Sequence, residues 1–117
     1  MPAHQLASAV RRRELSPVDV VDATLTRLER FEPQLNAFVL VRADAARAEA
    51  KALEARIAKG EDPGILAGVP FAVKDEEDLG GYPTTHGSAP WKNAASPMPF
   101  FTVRRGFSRA KRSRFSR

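Results

Sequence analysis

Gly68-Val69-Pro70-Phe71-Ala72-Val73-Lys74-Asp75 is the stretch on which the reading of this chain turns. An apolar run, Val69 to Val73, delivers one lysine, Lys74, at its end. Glu76-Glu77-Asp78-Leu79-Gly80-Gly81-Tyr82-Pro83-Thr84-Thr85-His86-Gly87-Ser88 follows, a loop of acids, glycine, proline and small hydroxyl residues. A short apolar run bounded by turn residues reads as a buried strand, and the glycine-rich continuation as a tight connection. Lysines mostly sit in solvent, so one that closes a buried strand points to a purpose.

Working outward, Ile65-Leu66 lead into this stretch from a loop at Glu61-Asp62-Pro63-Gly64. Before the loop, Ala43 to Lys59 is rich in strong helix formers. Ala46, Ala50, Leu53 and Ile57 repeat at i, i+4, i+7 and i+11, a narrow face of small residues, and Gly60 suits the C-terminal cap. Asn36 to Val41 is a second short apolar run, expected to be extended. Ser16 reads as an N-cap with Pro17 in the first turn and Asp19 at the third position. Val18, Val21, Leu25 and Leu28 then form one face of an amphipathic helix, expected to end at Glu32-Pro33 because proline disfavours helix in the residue before it. Gln5 to Leu15 forms a first helix with a thin apolar stripe.

The two blocks Gly68-Val69-Pro70-x-Ala72-Val73-Lys74-Asp75 and Thr84-Thr85-x-Gly87-Ser88 resemble the landmarks of the amidase signature family. These hydrolases use a Ser–cis-Ser–Lys triad. Matching both blocks in order at this spacing is specific. Glu14-Leu15-Ser16, Leu35-Asn36-Ala37-Phe38-Val39 and the alanine-rich helix before the lysine strand look like the family as well. The resemblance covers roughly residues 5–97. It implies an α/β fold, of which the chain holds the N-terminal helices and first strand or strands of an incomplete α/β/α domain. Apolar faces at Val21/Leu25/Leu28 and Val69–Val73 are then expected to lack partners, with marginal stability or self-association as the consequence.

The resemblance also assigns a role to Lys74, that of base and proton shuttle. An amine accepts a proton only in its neutral form, which burial favours. In the family the lysine takes that proton from a bridging serine in a cis peptide, and the bridging serine activates the nucleophile. This chain has no Ser-Ser pair; its serines after Lys74 are Ser88, Ser96, Ser108, Ser113 and Ser116. The family's glycine-rich oxyanion segment is also missing. The implied substrate, a small amide, therefore belongs to a full-length relative, and this chain alone is expected to be inactive. Substrate-binding residues are not legible.

Other chemistries fit less well. Asp75 to Asp78 are nearly consecutive and cannot all converge on one ion, so a solvated loop is expected, with Asp75 free to cap or hydrogen-bond it. Thr84, Thr85 and Ser88 have no histidine but the adjacent His86, which favours structural roles over nucleophilic ones. Gly80-Gly81 lacks the lysine-hydroxyl pair of a phosphate loop and reads as a turn, and Trp91 as a packing aromatic. The chain has no cysteine, and His4 and His86 lack metal-ligand spacing. No cofactor and no metal are expected. No apolar run could span a bilayer, so no membrane partner is expected and the cytoplasm is the default location.

The net charge of +5 over 117 residues is unevenly placed. Seven of the nineteen basic residues and none of the fourteen acids lie in residues 104–117, which leaves the remainder at −2. The expected division is residues 1–97 as the N-terminal part of an amidase domain and residues 98–117 as a basic low-complexity tail, out-of-frame or disordered. Arg and Ser repeats without an apolar period are what a shifted frame in a GC-rich gene produces, so the reading is a truncated or frameshifted amidase. One alternative is an amidotransferase-subunit-like fragment. Another, the less expected, is a small protein whose tail, with Phe107 and Phe115 among its cations, binds nucleic acid.

Overall fold

The computed structural model describes residues 1–93. Three helices carry it: α1 (Ala3–Arg11), α2 (Pro17–Leu35) and α3 (Ala43–Ala58), with a 3-10 turn at Ala89–Trp91. The basic segment 98–117 and the boundary drawn at residue 97 lie outside the described residues.

The Ser16 hydroxyl accepts the Val18 N–H at 3.1 Å and caps α2 as the sequence predicts, while also donating to Glu54 Oε1 at 2.6 Å. The helix runs through Pro33 rather than stopping there. Proline removes the bond to the carbonyl four residues back, but the chain needs only one more turn. Asn36, in the left-handed region at φ 48°, closes that turn with its N–H on Glu32 O at 2.7 Å. Arg47 reaches Asp22 at 2.7 Å and Glu54 reaches Ser16, so α2 and α3 run antiparallel. Leu25 and Ala50 are buried between them, with Val21, Leu28 and Ala46 half-buried. The apolar face of α2, expected to be without a partner, is therefore covered by the small-residue face of α3.

Helices α1 and α3 both end in a Schellman motif. At the end of α3, Gly60 takes φ 79°, its N–H meets Ile57 O at 3.0 Å, and the Glu61 N–H meets Arg56 O at 3.1 Å. Helix α1 stops at Arg11, short of the expected Leu15, because Arg13 bonds back to Val10 O and Glu14 to Ala9 O. Arg13 holds the left-handed position at φ 61°, where glycine is favoured. Its guanidinium explains the choice: it donates to Ile57 O and, at 3.2 Å, to Ala58 O, so the end of α1 caps the negative end of α3. Arg13→Ala is expected to lose about 1 kcal/mol, since the strain stays and the charged cap goes. Arg13→Gly should recover part of that loss by relieving the strain, and paired urea melts would read the difference; an alanine variant as stable as wild type would refute the cap.

Val10, Ile57 and Ala67 form the buried cluster, with Leu15, Val20 and Leu53 packed on it. It joins α1 and α3 to the turn at residues 66–69. There the Val69 N–H meets Leu66 O at 3.1 Å, and Gly68 takes φ 69°. A Cβ on Gly68 would lie 3.0 Å from Val10 Cγ2 and 3.1 Å from Cγ1. Gly68 is thus required twice, by its backbone angle and by its approach to the most buried large side chain.

No strand is present among the described residues. Residues 69–74 and 36–41 run without a ladder, so the expected buried strand at Val69–Val73 is corrected to an open segment, with Phe71 74% and Val73 40% exposed. The reason is physical: a ladder needs a neighbouring strand, and among the described residues none lies beside either run. Trp91, expected to pack, is also exposed.

Candidate functional site

Lys74 follows directly from the turn that Gly68 fixes. The burial expected for it is not found: its side chain is 73% exposed, and Nζ pairs with Glu76 Oε1 at 2.6 Å. An apolar run desolvates an amine only when a sheet covers it, and Phe71 and Val73 are themselves open to solvent. Among the described residues the amine's ion-pair partner is a carboxylate. An exposed pair of this kind contributes little.

Asp75 has the opposite character. Its Oδ1 accepts the Thr85 N–H at 2.7 Å, and its Oδ2 accepts the Thr85 hydroxyl and the Gly87 N–H. Its main-chain carbonyl accepts the His86 N–H at 3.1 Å. The backbone of His86 (φ 50°) and Gly87 (φ 67°) is left-handed, which curls the loop so that successive amides face one residue. The two sequence landmarks, separate on paper, are thereby stitched together by one side chain. The Thr85 hydroxyl, then the Thr85 amide, with smaller help from the Gly87 amide and His86, hold the Asp75 carboxyl below its usual range against an opposing desolvation. A depressed carboxyl adds stability that is present above its unfolded value and is lost as pH falls through the lower folded one.

Two of the loop's hydroxyls, those of Thr84 and Thr85, are occupied structurally. Thr84 and Thr85 are buried, with Thr84 donating to Glu77 O at 3.4 Å and Thr85 to Asp75. The Ser88 N–H closes a turn on Thr85 O at 2.8 Å. Tyr82 lies under the Arg42 guanidinium, 4.4 Å from ring centroid to Cζ, and Arg42 pairs with Glu49 at 2.8 Å. This contact ties the loop to the start of α3 and is not legible in the sequence, where nothing marks Arg42 as facing a ring forty residues on. No group of three or more His, Cys, Asp or Glu side chains converges as a metal site among the described residues. No helix among them is long and apolar enough to cross a membrane.

A family model described as Amidase matches residues 19–105, reaching past Pro97, where the resemblance legible in the sequence ends. The chain belongs to the amidase signature family. The glutamyl-tRNA(Gln) amidotransferase of Gloeobacter violaceus has a subunit, its A chain, that is 44% identical over 101 residues, 86% of this chain and 21% of that protein. An amidase of Pseudomonas putida is 48% identical over 84 residues, 72% of this chain and 18% of that one. Among solved structures, a bacterial aryl acylamidase of the amidase signature family superposes with a TM-score of 0.71 at 37% identity, over 84% of this chain and 21% of that one. The chain thus spans about a fifth of the length of the relatives it matches.

Proposed function

We propose that this chain is the lysine-bearing part of an enzyme that hydrolyses a carboxylic amide C–N bond, and that it has no such activity by itself. The observation that carries the reading is the stitching of the Lys74-Asp75 block to the Thr84–Ser88 block through one carboxylate. Lys74 is the base and proton shuttle on this reading. In a full-length relative the segments 36–41 and 69–73 would form the first strands of the family's sheet, and further strands would cover Phe71 and Val73, strip water from Lys74 and separate it from Glu76.

Amide hydrolysis needs a nucleophile, a path for its proton and donors for the oxyanion. The family's serines supply the first and relay the second. The nucleophile adds to the carbonyl, the amine leaves with a proton returned through the lysine, and water releases the acid. Lys74 can hold or return a proton here but has no nucleophile to serve. Proton transfer contributes about 10²–10⁴-fold only when the rest of the machinery is in place. A change of reading frame would account for the basic composition of residues 104–117, at the end of the family match that reaches residue 105, and the cytoplasm is the location we propose.

The purified chain is expected to release no product from a simple aryl amide above the buffer rate; measurable turnover would overturn the reading. Nucleotide sequence beyond codon 97 is expected to encode an amidase-like continuation in another frame, and its absence would remove the frameshift. The similarity to the glutamyl-tRNA(Gln) amidotransferase supports a second reading, a fragment of an amidotransferase subunit. Amide transfer to a charged tRNA, rather than hydrolysis of simple aryl amides, by a protein restored to full length would favour it. A nucleic-acid role for the tail predicts salt-sensitive binding that a chain ending at Pro97 lacks.

A further inference from the structure

We propose that Asp75 is the positioning residue of this site: it locks the Thr84–Gly87 turn onto the backbone beside Lys74, so that the base-bearing segment and the loop move as one body. The proposal rests on reading Lys74 as the proton carrier and adds what sets its direction.

The geometry is the argument. Asp75 is held at both ends, its side chain by Thr85 and Gly87 and its carbonyl by the His86 N–H. Four donors from three successive residues converge on the residue next to Lys74. Its neighbours are tied down poorly: Phe71 and Val73 are exposed, and the Lys74–Glu76 pair is open to water. Among the described residues no sheet lies beside residues 69–74, and the Gly68 turn on one side and Asp75 on the other are the fixed points of the segment. The same bonds decide what the loop does not do. Its convergent amides could cradle an external anion, but Asp75 fills them with an internal carboxylate and carbonyl. An asparagine has nearly the same shape, yet its NH2 group would face the Gly87 N–H, donor against donor. The carboxylate is therefore required, and not its volume.

The charged groups around Asp75 are Lys74 and Glu76, which pair with each other, Glu77 and Asp78 on the same turn, and His86 in the loop it binds. A His86→Gln variant removes the imidazole, so a response that persists in it belongs to the carboxyl.

The test is amide hydrogen exchange by NMR on the 117-residue chain, corrected for intrinsic rates, with Ala50 and Ile57 in α3 as internal references. In Asp75→Asn the Thr85 and Gly87 amides should exchange about tenfold faster at neutral pH, the loss of a charge-assisted bond. The order parameter of the Lys74 amide should fall with them, while the α3 references hold. Protection at Thr85 and Gly87 in the wild type should fade as pH drops below the ordinary carboxylate range, in His86→Gln as well, and the asparagine variant should show no such titration. Unchanged protection at Thr85 and Gly87, an unchanged Lys74 amide, or a titration that persists in Asp75→Asn would each overturn the proposal. Amide hydrolysis by the purified chain would instead sink the functional reading and leave these exchange rates where they are.

Discussion

Gly68→Ala is expected to destabilise the chain by about 2–4 kcal/mol, the sum of backbone strain and overpacking. The first part arises because φ 69° is unfavourable for any residue with a Cβ. The second arises because that Cβ would sit 3.0 Å from Val10 Cγ2, and Val10 is 1% exposed and cannot swing away. Gly64 provides the control. It has φ 84°, but a Cβ there meets nothing within 4 Å, so Gly64→Ala should cost only the strain, about 1 kcal/mol. The difference between the two variants in urea melts isolates the packing contribution. Equal losses would mean that the turn carries strain alone and that the contact with Val10 is slack. A core of this size supplies only a few kcal/mol, so Gly68→Ala should leave much of the population unfolded at room temperature.

The same glycine shows where the sequence stops being informative. Gly68 is visible as a landmark of the lysine block, but its partner Val10 lies on α1, far back in the chain, and no local pattern announces that approach. The helices are legible because their cause is local. Val18, Val21, Leu25 and Leu28 share a face by period alone, and Ser16-Pro17 is a cap whatever else the chain does. The strand expected at Val69–Val73 fails for the converse reason. Apolar content can make a segment suitable for a sheet, but a strand is a property of two paired segments, and among the described residues nothing pairs with this one. The exposure of Lys74 follows from the same missing partner. Asp75 is half legible: a carboxylate after a strand end is free to bind a loop, but the choice of Thr85 and Gly87 depends on left-handed backbone at His86, a residue that does not advertise it. Arg13 runs against propensity for a similar reason, since its value lies in carbonyls at the end of another helix.

Ile57→Ala is expected to cost about 2–3 kcal/mol, the lower part of the range for such truncations, because the neighbouring surface is open enough to relax. Ile57 is 7% exposed and is where α1, α3 and the Gly68 turn meet, through Val10, Leu53 and Ala67. Its carbonyl also receives the Arg13 guanidinium, so a shift of the α3 end disturbs that cap too. The loss should therefore be uneven. Amides at Val10 and Val69, the latter bonded to Leu66 O, should lose protection most, whereas Leu25 and Ala50, packed farther along the α2–α3 pair, should lose less. Ile57→Val, which removes one methylene, should cost about 1 kcal/mol and leave the pattern intact. Uniform loss of protection at all four amides would mean a single cooperative unit. Retained protection at Val69 alongside lower global stability would mean that some contact other than this cluster anchors the turn. The expected pattern has a consequence for Lys74: its segment hangs from the Val10–Ile57–Ala67 cluster at one end and from Asp75 at the other. Ile57→Ala should loosen it from the Gly68 side with Thr85 and Gly87 still bound to Asp75, and Asp75→Asn should loosen it from the loop side with the cluster untouched.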